Sequence, residues 1–69
     1  MIIVGIDVAS QKHDYFMVRP GTGEVFSKTS VTIRNSEKGY KKLHEDITAF
    51  CGATGDYDVR IGLESTGIY

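Results

Sequence analysis

Two carboxylates in this sequence stand in the same local frame, Gly5-Ile6-Asp7 near one end and Gly62-Leu63-Glu64 near the other. Each frame runs glycine, bulky apolar residue, acid, and in each the acid closes a short strand-like segment. Side chains alternate along a strand, so Gly5 shares a face with Asp7 and Gly62 shares one with Glu64. If the two strands lie side by side and parallel, both acids converge at the C-terminal edge of the sheet, where open α/β sheets place their ligands. Two oxygen donors there suit a hard divalent cation such as Mg2+ or Mn2+, which keeps waters and binds substrate phosphates. Such a cation activates water and stabilises a leaving oxygen in phosphoryl transfer. Acids also end strands simply because the chain leaves the sheet into solvent there. The repeated glycine spacing favours the chemical role, since a missing side chain lets a phosphate backbone or a packing element approach.

Other polar residues carry weaker signals. His13 and His44 lack the paired spacing of zinc ligands, and each is expected to be partly exposed. Asp14 is expected at a solvated strand start, with a supporting role beside a metal as the alternative. Lys12, five residues past Asp7 in the sequence, is within reach of a phosphate or simply exposed. Ser65 and Thr66 suit the start of a helix better than nucleophilic chemistry. Cys51, the sole cysteine, excludes an internal disulfide and reads as a small apolar residue near a helix end.

The elements that must position the acids follow from periodicity. Ile2–Val8 is short and apolar, as expected of a strand buried on both faces. His13–Arg19 forms a second strand, Pro20-Gly21-Thr22-Gly23 a turn, and Glu24–Ile33 a third strand that closes a hairpin. Asn35 or Ser36 caps a helix. Its apolar stripe is Tyr40, Leu43, Ile47 and Phe50, with Lys41, Lys42, Glu45 and Asp46 opposite. Gly52 is expected to end that helix in a left-handed conformation. Val59–Glu64 makes the fourth strand, and Ser65-Thr66-Gly67 approaches a second helix. The expected order is β-β-β-α-β, a mixed α/β sheet.

The chain has 69 residues, room for one small domain, and at that size only about 60% of the unfolded surface is buried on folding. Hydrophobic residues make up 41% and charged residues 25%, which excludes compositional disorder. Eight basic and nine acidic residues leave a net charge of -1, so no basic footprint for nucleic acid is present. The opening apolar run stops at Asp7, too short for a membrane span and without the basic leader of a signal peptide. A cytoplasmic location with no membrane association is expected.

The stretches GIDVASQKHD (Gly5 to Asp14) and IGLESTGIY (Ile61 to Tyr69) resemble the two N-terminal signatures of DEDD-type insertion-sequence transposases, a group that includes the pilin-inverting recombinases. Gly23 with Glu24, then Asn35, Gly39-Tyr40 and Leu43, fall between them at family-like intervals. The resemblance covers essentially all of residues 1–69, which would be the N-terminal part of a longer catalytic domain. It implies a ribonuclease H-like fold of the RuvC type and a metal-dependent Asp-Glu-Asp-Asp tetrad that cleaves and joins DNA strands. The first acid falls on Asp7 and the second on Glu64; the other two would lie beyond Tyr69, together with a serine-bearing domain. It further implies DNA as partner, a non-coding guide RNA in the intact protein, and Mg2+ or Mn2+ as cofactor. Ser65 stands where the family often has alanine, and Ile68 where it often has histidine; neither departure touches the two acids.

The rival from another class is a nucleotide-binding domain of the actin, Hsp70 and sugar-kinase type, which also opens with a strand and Gly-Ile-Asp. Those domains follow the aspartate with a glycine-containing phosphate turn, whereas Val8-Ala9-Ser10-Gln11 has no glycine. In the expected strand order the first strand is central and the fourth lies at an edge. Exposed apolar edges recruit partners, so a homo-oligomer is expected. With half of the tetrad, this chain alone is expected to lack nuclease activity.

Overall fold

The computed structural model describes residues 1–65 and, within them, every side chain but that of Ser65. Among the described residues the fold is α/β: five strands form a mixed sheet and one helix covers one face. The strands are β1 (Ile2–Val8), β2 (Lys12–Arg19), β3 (Glu24–Val25), β4 (Val31–Arg34) and β5 (Val59–Ser65), and the helix, α1 (Glu37–Thr54), precedes β5. The sheet order is β3-β2-β1-β5, with β4 also pairing β2. β1 runs antiparallel to β2 and parallel to β5. The expected approach to a second helix at Thr66 and Gly67 lies outside the described residues.

Alternation decides what is buried. His13, Tyr15 and Met17 on β2 point to the helix side and are buried, while Lys12, Asp14 and Phe16 between them are exposed. Ile2 and Val4 of β1 are wholly buried and cluster with Tyr15, Met17, Ile33, Phe50 and Cys51. Leu43 and Ile47 of α1 pack half-buried against that cluster, as the stripe requires. Each large aliphatic side chain removed from water in this way contributes about 1.5–3 kcal/mol. Cys51 is buried, as expected. No helix among the described residues is long and apolar enough to cross a membrane.

The start of α1 is fixed by Ser36, whose extended backbone (φ -156°) lets its hydroxyl accept the Gly39 N–H at 3.1 Å. Glu37 in the first turn complements the helix dipole. The helix passes the expected stop at Gly52 and ends at Gly55, which takes a left-handed φ of 71° and donates its N–H to the Cys51 carbonyl at 2.8 Å. Gly52 is one of two glycines near the end, and only the second is needed for a backbone that other residues resist.

The expected single strand over Glu24–Ile33 is interrupted. Val25 pairs with Val18, but Val31 pairs with Tyr15, so extra residues bulge out of the ladder between them. Phe26 still donates its N–H to the Met17 carbonyl at 3.0 Å and sets its ring edge-on to Phe50, 5.8 Å between centroids, and the chain leaves the ladder after it. Tyr40, expected in the core, is instead 48% exposed and reaches Asn35, just before α1, with its hydroxyl.

Candidate functional site

The parallel pairing of β1 with β5 places Asp7 directly opposite Glu64 and Gly5 directly opposite Gly62. Opposite residues share a face, so both acids emerge at the C-terminal edge on the side of the sheet away from α1. The hairpin adds a third carboxylate from the other direction, since Asp14 of β2 stands opposite Asp7. Glu64, Asp7 and Asp14 thus form a row across three adjacent strands, and all three line a depression of about 630 Å³ on the open face. Asp14 is oriented by Thr32, whose hydroxyl donates to its Oδ1 at 2.5 Å. The acid expected at a solvated strand start is therefore both exposed and part of the row.

The floor of this depression differs on its two sides. Gly62 is open, with nothing within 4 Å of the place a Cβ would take. Gly5 is roofed by Phe16, its partner in the hairpin register, whose ring would lie 2.3 Å from an added Cβ. The glycine in one frame leaves space above the sheet, and the glycine in the other admits an aromatic ring that is itself half-exposed. Beside the acids, Lys12 stands opposite Arg34 on β4, both exposed. They share a face with Asp14, so cations border the row on its β2 side.

Among the described residues no group of three or more His, Cys, Asp or Glu side chains is arranged to hold a metal ion. A hard cation that keeps several waters and binds phosphate oxygens needs only one or two carboxylates from the protein, fewer than such a group. Asp7 and Glu64 are the pair brought together by the parallel ladder, with Asp14 adjacent.

The histidines divide. His44 lies exposed on α1. His13, expected to be partly exposed, is buried at 6% because it belongs to the inward set of β2 with Tyr15 and Met17. Its Nδ1 accepts the Ala9 N–H at 3.2 Å, and its ring stacks on Tyr40, whose hydroxyl lies 3.4 Å from Nε2. Tyr40 in turn donates to Asn35 Oδ1, and Asn35 donates through its amide to the Ser10 carbonyl at 3.1 Å. This network ties the β1–β2 connection, immediately after Asp7, to the start of α1. Period-two alternation from Tyr15 and Met17 back to His13 was the signal for its burial.

No family model matches the chain, and no curated protein or solved structure matches it either.

Proposed function

We propose that the chain is the N-terminal part of a DEDD-type transposase catalytic domain of the RuvC kind, in which Asp7 and Glu64 supply the first two acids of a metal-binding tetrad. The observation that carries this reading is the register of β1 and β5, which sets Asp7 against Glu64 and Gly5 against Gly62. Two motifs that resemble the family's signatures would then meet at one sheet edge, as a shared metal site requires. In this reading DNA is the substrate and a guide RNA a partner of the intact protein.

The chain's own residues would divide the work. Asp7 and Glu64 hold Mg2+ or Mn2+, which when bound supplies a polarised water and charge neutralisation for phosphodiester cleavage and joining. Asp14, fixed by Thr32, keeps the approach acidic and helps orient water. Lys12 and Arg34 on the same face offer donors to phosphate oxygens on the flank. The open surface above Gly62 leaves room for the backbone of a strand. The nucleotide-binding alternative is disfavoured by the turn after Asp7, where the Ala9 N–H is engaged by His13 instead of facing a phosphate.

The test is a Mn2+ titration followed by NMR line broadening, on this chain and on Asp7→Asn. Broadening centred on Asp7 and Glu64, and absent from the variant, is the expected result. Broadening that is unchanged in Asp7→Asn, or none in either protein up to millimolar Mn2+, would overturn the assignment of these acids as metal ligands.

A further inference from the structure

β1 and β2 are joined by three residues, Ala9, Ser10 and Gln11, and each of them is held. Ala9 donates its N–H to His13 Nδ1 at 3.2 Å. The Ser10 carbonyl accepts from the Asn35 side-chain amide at 3.1 Å, and the Gln11 carbonyl accepts from the Asn35 N–H at 2.8 Å. Tyr40 closes the ring between the two anchors: its hydroxyl lies 3.4 Å from His13 Nε2 and donates to Asn35 Oδ1. The direction of these bonds is fixed. A ring nitrogen that accepts carries no hydrogen, so the imidazole bears its hydrogen on Nε2 and donates it toward Tyr40. Tyr40 then donates to Asn35, and Asn35 to Ser10, so that each donor meets an acceptor. The other tautomer would set a hydrogen on Nδ1 against the Ala9 N–H.

We propose that His13 is a positioning residue for the carboxylate row, holding Asp14 opposite Asp7. His13 does not reach the row itself, because successive side chains of a strand leave on opposite faces. Its ring is buried on the helix side, while the next residue, Asp14, lines the depression with the acids. Asp7 and Asp14 form the last rung of the β1–β2 ladder, and like charges opposite each other push such a rung apart. Tyr15 and Met17 decide which face of β2 is inward. The clamp on His13, Ala9 at one ring nitrogen and Tyr40 at the other, holds the end of the strand where pairing stops. That the row takes a metal rests on the function proposed above; that His13 places two of its acids does not.

The test is NMR of the whole chain in EDTA, where metal plays no part. In the original chain, long-range 15N correlation of the imidazole should show His13 carrying its hydrogen on Nε2, and cross-strand NOEs should join the Asp7 and Asp14 backbones. His13→Leu keeps the space filled but leaves the Ala9 N–H without its acceptor. Those NOEs should vanish, and the Asn35 amide should exchange about fivefold faster while amides around Met17 keep their rates. His13→Asn, whose Oδ1 takes the place of Nδ1, should restore the NOEs. Tyr40→Phe keeps the ring stack at a half-exposed position and removes only the hydroxyl. It should speed Asn35 exchange by a similar factor, and it decides the matter if His13→Leu does not fold. A hydrogen on Nδ1, NOEs that persist in His13→Leu or stay absent in His13→Asn, or unchanged Asn35 exchange in Tyr40→Phe would overturn the proposal. Failure of the original chain to bind added Mn2+ would overturn the metal assignment alone and leave these outcomes standing.

Discussion

Asp56 receives the Arg19 guanidinium at 3.0 Å on the same carboxylate oxygen that is bonded by the N-terminal ammonium of Met1. A loop acid thereby ties the end of β2 to the start of β1. The ammonium, then Arg19, then the Asp58 N–H hold its carboxyl well below the usual carboxylate range. Glu24 is shifted the same way, by the Thr22 hydroxyl and then Arg19. A carboxyl whose folded value is depressed stabilises the fold above its unfolded value of about 3.9, and that stabilisation is lost as pH falls below it. Urea midpoints should therefore be level from pH 7 to about 5 and drop steeply toward pH 3. In Asp56→Asn the midpoint at pH 7 should be lower and the acid drop shallower; an unchanged drop would show that this cluster does not set the acid limit.

Tyr15 shows the opposite sign. Burial, and then its hydrogen bond to Asp46, raise its phenol above the usual tyrosine range. An acid whose folded value is raised stabilises the fold below its unfolded value of about 10, and the contribution is lost as pH climbs past it. Absorbance titration should therefore show Tyr15 ionising only as the protein unfolds. Tyr15→Phe should cost about 1.5 kcal/mol, the low end of the range for losing a hydrogen bond to a charged group. Asp46 keeps its bond from Lys42 at 2.9 Å, which limits the loss. A phenylalanine variant as stable as the original at pH 7 would show that the bond contributes nothing net.

Glycines separate by what a Cβ would strike. At Gly39 it would fall 2.0 Å from the Arg34 carbonyl oxygen, a backbone atom held by β4, so Gly39→Ala should destabilise by about 2 kcal/mol or more. At Gly52, inside the helix, it meets nothing, and Gly52→Ala should stabilise by about 0.5–1 kcal/mol. At Gly5 it meets the ring of Phe16, which is half-exposed and can swing aside. Gly5→Ala should therefore change stability little while shifting the Phe16 resonances. Equal costs at Gly39 and Gly52 in chemical denaturation would contradict this ordering.

The parts of this fold legible in the sequence are those set by local period. The apolar run Ile2–Val8 specifies a strand, though it suggests burial on both faces where only the Ile2 and Val4 face is buried, while the alternation around Tyr15 and Met17 and the Leu43, Ile47 and Phe50 stripe each specify an element and its inward face. So does the pairing of the two glycine–acid frames, once the strands are adjacent and parallel. What escaped depends on contacts distant in sequence. The break in the third strand follows Phe26, whose ring meets Phe50 on the helix, and the helix ends at Gly55 rather than Gly52, where the left-handed cap and its bond to the Cys51 carbonyl form. Asp14 joined the row through hairpin register, which the length of the Ala9–Gln11 connection sets and composition does not reveal. Tyr40 left the core because His13, already buried, offered its ring a stacking partner at the margin.

The carboxylate row itself has a stability consequence. Like charges directly opposite on neighbouring strands destabilise a sheet by about 0.2–1 kcal/mol per pair, and Asp7 stands opposite both Glu64 and Asp14. Neutralising Glu64 removes one such opposition without changing the shape of the side chain. Glu64→Gln should therefore melt about 2–4 °C higher than the original in EDTA, by the scaling for a domain of this size. Millimolar Mn2+ should reverse the order, because a ligand that binds only the folded state stabilises it by mass action and the variant has lost a donor. A row kept for metal binding predicts this crossing of melting temperatures. If Glu64→Gln melts higher both with and without Mn2+, the acids repel without holding a cation. If it melts lower in EDTA, Glu64 supports the fold through contacts that outweigh the repulsion.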